Sequence, residues 1–324
     1  MPCSADVPDR SHPRLRFSIP RRRHSYGLPF RSNEMETTLQ ICVFVMMAAV
    51  GLSLGADDFR RLIRRPKIVL IAIGAQWLLL PPAAWTLAWV LPLPPDLTAG
   101  IILLAACPAG AVSNFFCYLA RADVALSVSL TAMSLVTSVL MLPFLAGVGF
   151  KLLTSSSSTI EMPVTKIVSQ LLVAVLIPVV IGMSLRHRYE KWVTDHEPSI
   201  RRASNAVLLM TVLLLVVGLR SSLTDDFGVM LVASTSFVVI AALVGTIVGH
   251  MANCDRQQQI TLMIEFACRN TAIAMLIGLA SFGRPRLAAF SLVVFLTQIP
   301  IMLGGIAVAK RRARLQRSFN GDAP

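Results

Sequence analysis

The chain of 324 residues is 55% hydrophobic and only 15% charged, with a mean hydropathy of +0.69. Soluble globular domains carry about 25% charged residues, so this composition excludes an ordinary water-soluble enzyme. The net charge of +13 does not indicate a nucleic-acid partner, because the basic residues form short clusters between long apolar runs. The six cysteines are scattered and show neither metal-ligand nor disulfide spacing.

Residues 1–34 form a basic leader with seven arginines and five prolines. The leader lacks the apolar stretch of a secretory signal, and its prolines would interrupt an amphipathic targeting helix. We expect it to be disordered, or to be the product of a misassigned start codon.

Nine apolar segments of roughly 17 to 25 residues follow, and each is a candidate membrane span. They predict an all-α polytopic membrane protein with about nine transmembrane helices, in a transporter domain at 35–310. The segments are 38–56, 68–91, 97–120, 124–150, 163–185, 203–219, 227–250, 260–282 and 287–309.

Lys and Arg residues divide unevenly between the two sets of loops. One set, which includes the tail at 311–324, holds 17 of the 30 basic residues, and the opposite set holds five. Because cytoplasmic loops retain positive charge, we expect the C-terminus inside and the N-terminus outside. The expected location is a bacterial inner membrane.

Two segments of the chain resemble each other: 51–59 reads GLSLGADDF and 218–227 reads GLRSSLTDDF. Five predicted spans separate them, so the copies face opposite sides of the membrane, as in inverted-repeat transporters. We predict repeats at about 38–150 and 203–309, the alternative being a chance recurrence of a short motif.

Charge and helix-breaking residues interrupt two of the apolar segments. In the eighth, Glu265 and Arg269 are four positions apart, close enough to pair if the segment is helical. Charge at the bilayer centre costs at least about 2.5 kcal/mol, which favours function over a pair that only fixes packing. In the third, Pro108 and Gly110 predict a broken helix with peptide groups free for ions, or an ordinary kink.

The fourth segment carries hydroxyl side chains along one helix face, at Ser127, Thr131, Ser134 and Ser138. For Ser134 and Ser138 we expect bonds to the carbonyl one turn earlier. No catalytic motif accompanies these residues, because the five histidines lie in the leader, in loops or at a segment end. An enzyme is not expected.

Several motifs together resemble the bile acid:sodium symporter family, from about Met35 to Lys310. They are GLSL at 51–54, DFRR at 58–61, RPK at 65–67, CPAG at 107–110 with Ser113 and Asn114, DVALSVS at 123–129, and Glu265 with Asn270. The resemblance implies an inverted-repeat fold with a core domain and a panel domain, in which two broken helices cross.

The resemblance also implies where the ligands bind. An organic anion would lie at the crossover, near Pro108, Asn114 and Asn270, with sodium behind it. The first sodium site would consist of Ser113, Asn114, Ser127, Thr131 and Glu265.

A second sodium site would draw on Gln76, Glu265 and the position of Arg269, where well-known members of the family carry glutamine. Arginine has no acceptor atom and keeps its proton, so it cannot ligate a cation and repels one nearby. We therefore expect the guanidinium to replace the second ion, leaving one bound sodium or none.

These features predict a secondary active transporter that moves an organic anion, bile-acid-like or a small carboxylate, with sodium by alternating access. Two alternatives stay open. One is a sodium-independent or proton-coupled carrier or exporter of the same fold, and the other is a receptor that binds the anion without transport. The expected partners are the anion, sodium and the lipid bilayer, and no nucleic acid.

Overall fold

The computed structural model describes residues 32–55, 66–153 and 163–319, which form α-helices and contain no β-strand. The first seven helices are α1 Ser32–Ser53, α2 Pro66–Leu78, α3 Leu80–Val90, α4 Pro95–Ala106, α5 Val112–Ala120, α6 Val124–Leu153 and α7 Val164–Leu171. The other seven are α8 Ile177–Arg188, α9 Glu190–Gly218, α10 Arg220–Asp225, α11 Phe227–Met251, α12 Arg256–Ala267, α13 Thr271–Leu276 and α14 Pro285–Phe319. Short π-helical turns, Leu172–Leu176 and Ile277–Ser281, follow α7 and α13.

Six helical stretches in the described ranges are long and apolar enough to span a membrane. They are Glu34–Ser53, Pro66–Val90, Val124–Leu152, Val164–Arg188, Phe227–Met251 and Pro285–Val308. A seventh is present if the two arms of α9, bent by 42°, count as one span. The third and eighth predicted segments are divided into shorter helices. The all-helical polytopic architecture is as predicted, and the count of nine spans stays a prediction.

The two divided segments break for different reasons. In the third, α4 ends at Ala106 and α5 begins at Val112, because Pro108 has no N–H with which to continue the helix. In the eighth, α12 ends at Ala267 and α13 begins at Thr271. There Asn270 caps α13, its Oδ1 accepting the Ile273 amide at 3.2 Å. At both breaks, backbone N–H and C=O groups have no hydrogen-bond partner within the helix from which they come.

Glycines allow α1 and α8 to pack through their backbones. A Cβ atom at Gly51 would overlap the Val179 carbonyl, and one at Gly182 would overlap the Ala48 carbonyl. Such small-residue contacts are typical of membrane helices, where apolar burial against lipid gives little drive for association. The α1–α8 pair is therefore a close and rigid contact.

Two ion pairs attach Arg284, just before α14, and Arg286, in its first turn, to neighbouring segments. Arg284 Nη1 lies 2.5 Å from Asp96 Oδ1 in the first turn of α4, and Arg286 Nη2 lies 3.3 Å from Asp226 Oδ2 before α11. The proposed repeat motif at 51–59 and the basic residues at 60–65 extend outside the described residues. The repeat therefore stays a prediction.

Candidate functional site

The two helix breaks lie against each other and satisfy each other's backbone groups. An isolated antiparallel bridge joins them. The Gly110 amide donates to the Cys268 carbonyl, and the Asn270 amide donates to the Pro108 carbonyl, each at 2.8 Å. A Cβ atom at Gly110 would lie 3.2 Å from the Arg269 carbonyl oxygen, so glycine suits this close approach. The breaks thus form one hydrogen-bonded unit.

A hydroxyl on α6 completes the hydrogen bonding of the first break. The Ala109 amide donates to Ser134 Oγ at 3.1 Å, while the Ser134 hydroxyl donates to the Thr131 carbonyl at 2.9 Å. The predicted bond from Ser134 to a carbonyl of the preceding turn is confirmed. Its role as the acceptor for the Ala109 amide was not predicted. Within the described ranges Ser138 bonds only the Leu135 carbonyl, at 2.7 Å, as predicted.

Caps and a cross-helix bond fix α12 against α6. Asp255 and Gln258 form a reciprocal capping box at the start of α12, with bonds of 2.9 and 3.1 Å. Asp123 caps α6, its Oδ1 accepting a hydrogen bond from the Leu126 amide at 3.0 Å. The Asp123 amide also donates to Thr261 Oγ1 of α12, at 3.0 Å. The Asp123–Thr261 bond thus joins the N-cap of α6 to α12, two of the three helices that carry the next group of residues.

The Glu265 carboxylate is fully buried and is surrounded by hydroxyl groups from α5 and α6. Ser113 and Ser127 donate to its Oε1, and Thr131 Oγ1 lies 3.3 Å from both carboxylate oxygens. Asn114 is connected through its Oδ1, which lies 2.7 Å from Ser127 Oγ. The structure therefore brings together the five residues predicted for the first sodium site, hereafter the oxygen cluster.

The oxygen cluster has the chemistry of a site for a hard cation. It gathers three hydroxyl oxygens, one amide oxygen and two carboxylate oxygens. Ser127 has one hydroxyl proton, so it donates to Glu265 or to Asn114 but not to both at once. Oxygen ligands around one carboxylate suit an alkali cation. No group of three or more His, Cys, Asp and Glu side chains able to hold a metal occurs in the described ranges.

Arg269 lies in the second break and does not pair with Glu265. The pairing required a continuous helix, but α12 ends at Ala267, so the four-residue spacing no longer places the side chains on one face. Nη2 of Arg269 donates instead to the Cys107 carbonyl. Its Cζ lies 5.9 Å from the centre of the Trp77 ring. The condition for that pairing, a continuous helix through both residues, is therefore not met.

Buried polar atoms of two predicted second-site residues have no hydrogen-bond partner among the described residues. These are Nε and Nη1 of Arg269 and both amide atoms of Gln76, all buried. Gln76 precedes Trp77 on α2, and Trp77 donates through Nε1 to Thr137 Oγ1 at 3.2 Å. No hydrogen bond or ion pair in the described part of the chain joins the predicted second-site residues Gln76, Glu265 and Arg269. The sequence did not indicate the Cys107 and Trp77 contacts.

Comparison with known proteins identifies the family. The profile of the Sodium Bile acid symporter family matches residues 40–226, more than half of the chain. The chain belongs to this family. The resemblance inferred from the motifs is thereby confirmed. The matched residues end before α12, so Glu265 and Arg269 are described by the structure rather than by the profile.

Three relatives illustrate the range of similarity. An uncharacterized sodium-dependent transporter of Bacillus subtilis is 26% identical over 80% of this chain and 78% of that protein. A probable chloroplastic sodium/metabolite cotransporter of Arabidopsis thaliana is 29% identical over 74% of the chain, which spans 59% of the plant protein. The ileal sodium/bile acid cotransporter of Oryctolagus cuniculus is 28% identical over 86% of the chain and 81% of its own length.

Family membership has two direct consequences. The family and the relatives named above are transporters, so the protein is not classed with enzymes, as the sequence predicted. Together with the six apolar helices, membership also identifies an integral membrane protein.

Proposed function

We propose that the protein is a secondary active transporter that couples the movement of an organic anion to sodium by alternating access. The observation that carries the proposal is the oxygen cluster around Glu265. A buried carboxylate without a cation is costly, and a monovalent cation among its hydroxyl neighbours would remove that cost. The names of two relatives, a sodium-dependent transporter and a sodium/bile acid cotransporter, support the same coupling.

Sodium in the oxygen cluster would act on both helix breaks. Ser113 and Asn114 are in the first turn of α5, directly after the first break. Glu265 is near the end of α12, directly before the second break. An ion that ligates all three would hold the two breaks in one arrangement. Because a ligand shifts a conformational equilibrium only through differential affinity, this link would allow sodium to favour the anion-binding conformation.

One sodium ion is proposed rather than two. The second predicted site contains Arg269, which offers donors only and carries a permanent positive charge. A sodium ion 4 Å from the guanidinium would be repelled by about 4 kcal/mol at an effective dielectric near 20. We therefore propose that Arg269 replaces the second cation and that Gln76 and Glu265 do not form a second sodium site with it.

The remaining topology is part of the proposal. Inverted repeats at about 38–150 and 203–309, a core and a panel domain, and a cytoplasmic C-terminus in a bacterial inner membrane fit the loop charges and the paired breaks. The substrate would be bile-acid-like or a small carboxylate, as the relatives' names include both a bile acid and a metabolite. Pro108, Asn114 and Asn270 would border it.

Uptake into proteoliposomes tests the proposal. Labelled cholate and labelled lactate are offered to the full chain under an inward sodium gradient and under a matched potassium gradient. We expect uptake only with sodium, loss of this uptake in Glu265→Gln, and a reduction of about tenfold in Ser127→Ala. Ser138→Ala is the matched control, because it removes a buried hydroxyl of the same helix that bonds only a helix carbonyl.

The same assay separates the other functions. Equal uptake in potassium would identify a sodium-independent carrier. Saturable binding of either anion without accumulation would identify a receptor. Wild-type sodium dependence in Glu265→Gln would move the cation site away from the oxygen cluster.

A further inference from the structure

We propose that Arg269 binds the carboxylate of the transported anion, so that the chain carries one organic monocarboxylate with one sodium ion and no net charge. This inference rests on the proposed function and adds the residue that holds the substrate, the class of substrate and the stoichiometry. It is carried by the free hydrogen-bonding capacity of a buried guanidinium.

The Arg269 side chain has donors with no acceptor. It is 2% exposed, and among the residues that the structure describes only Nη2 of its three nitrogen atoms has a partner, the Cys107 carbonyl. Buried donors of a charged group are rarely left unmatched, because each has lost its bonds to water. Nε and Nη1 therefore call for an acceptor that is absent from the described part of the protein.

The guanidinium is also held in place before any ligand arrives. The Cys107 bond anchors one nitrogen, the Arg269 backbone is part of the bridge between the breaks, and the Trp77 ring lies on one side. A donor group fixed in this way loses little conformational entropy when an anion binds. Planar carboxylates match a guanidinium in shape and charge, whereas a neutral amide or a cation does not.

Charge balance gives the stoichiometry. Near the breaks, Glu265 contributes one negative charge and Arg269 one positive charge, and they do not pair directly. Sodium compensates the first and a monocarboxylate compensates the second. The empty and the doubly occupied sites are both neutral overall, while a singly occupied site buries a net charge. Single occupancy is disfavoured for this reason, so sodium and the anion should bind cooperatively.

Thermal unfolding of the purified full chain in detergent tests this inference. The probes are lactate, benzoate and cholate, with benzamide as the neutral counterpart of benzoate and chloride as the inorganic anion. We expect at least one carboxylate to raise the Tm in sodium and to raise it much less in potassium, because binding to the folded state stabilises it. Benzamide and chloride are expected to have no such effect.

Variants of Arg269 supply the decisive comparison. Arg269→Gln should weaken carboxylate binding by about tenfold to a hundredfold and keep the sodium-induced rise in Tm. Arg269→Lys is the second variant, for the case that Arg269→Gln does not fold. Because lysine keeps the positive charge, this variant should retain part of the rise in Tm caused by the carboxylate. Arg186→Gln is the matched control, since Arg186 Nη1 also donates to a backbone carbonyl, that of Leu52 at 2.8 Å, away from the breaks.

The outcomes separate this inference from the proposed function. A carboxylate effect unchanged in Arg269→Gln, or absent for all three probes in the native chain, would overturn the anion site even if sodium binds. An equal effect of chloride would assign the site to an inorganic anion and overturn the substrate role. A third outcome is that sodium does not raise the Tm of the native chain, while a carboxylate raises it in potassium and this rise depends on Arg269. That outcome would refute only the sodium coupling.

A measurement on the native protein tests the stoichiometry independently of any variant. The carboxylate with the largest effect on Tm is used for uptake into proteoliposomes whose membrane potential is clamped with valinomycin and potassium. Electroneutral transport should proceed at the same rate at zero and at an interior-negative potential. Strong acceleration by the interior-negative potential would mean that more than one sodium accompanies each anion, and would refute the one-to-one coupling.

Discussion

Replacing Glu265 by glutamine should remove the stabilisation of the protein by sodium. The substitution keeps the shape and one oxygen of the side chain but removes its charge. At 4 Å and an effective dielectric near 20, the attraction between a carboxylate and a monovalent cation is about 4 kcal/mol. Losing it corresponds to roughly a thousandfold weaker sodium binding.

The expected size of the effect follows from linkage. At a sodium concentration about 100 times the dissociation constant, the native protein gains about 2.7 kcal/mol of stability. With affinity a thousandfold lower, the same concentration gives Glu265→Gln less than about 0.1 kcal/mol. The quantity to measure is the difference in Tm between sodium and potassium. The Tm in potassium alone also changes, because Ser113, Ser127 and Thr131 then face a neutral acceptor.

Thermal unfolding of the native chain, Glu265→Gln and the control Ser138→Ala in both salts provides the assay. The control should show the full sodium increment, because the Ser138 hydroxyl takes no part in the oxygen cluster. If Glu265→Gln kept an increment equal to that of the native chain, the carboxylate would not be a sodium ligand and the reasoning from buried charge would be refuted.

Three further substitutions, one of them with a matched control, test contacts around the site by thermal unfolding of the full chain. Gly182→Ala should destabilise by about 1–3 kcal/mol, because its Cβ overlaps a backbone carbonyl of α1, whereas Gly74→Ala, with no neighbour within 4 Å, should be neutral or stabilise by up to about 1 kcal/mol. An equal loss at both glycines would contradict the tight α1–α8 contact. Ser134→Ala should cost about 1–3 kcal/mol, because a buried amide of the first break loses its acceptor; an unchanged Tm would show that another group satisfies it. Arg284→Ala should cost no more than about 1 kcal/mol, since its pair with Asp96 is partly exposed (38% and 22%), and a larger loss in a double-mutant cycle would contradict this.

The two helix breaks differ in how far the sequence could indicate them. Pro108 and Gly110 are local signals, because one removes a donor and the other lacks a Cβ. The second break, at 268–270, reads Cys-Arg-Asn and has no proline or glycine. Its backbone leaves the helix because the Gly110 and Asn270 amides bond across to the other break. That is a tertiary cause, so only the family resemblance could suggest it.

The same distinction between local signals and tertiary causes explains which contacts of the site residues could be predicted from the sequence. Ser127 and Thr131 are four positions apart, so their spacing predicts a common helix face. Ser113 and Asn114 were assigned to the site only through the family resemblance. Ser134 was expected to bond only its own helix, and its second bond arises because the break places the Ala109 amide beside it. The Arg269 contact with Cys107 spans 162 positions of sequence, and no local pattern reports such a contact.

The geometry of the breaks also constrains how the proposed transporter could move. The oxygen cluster joins α5, α6 and α12, and the bridge between the breaks fixes the Arg269 backbone to the residues just before α5. A shift of α12 against α5 would disturb the Glu265 contacts and the bonds at Gly110 and Asn270 together. The two proposed ligand sites would therefore belong to one hydrogen-bonded unit. Separating the two breaks would leave buried amides and carbonyls unpaired, which costs free energy. Alternating access therefore costs less free energy if other helices move against this unit and the two breaks stay together.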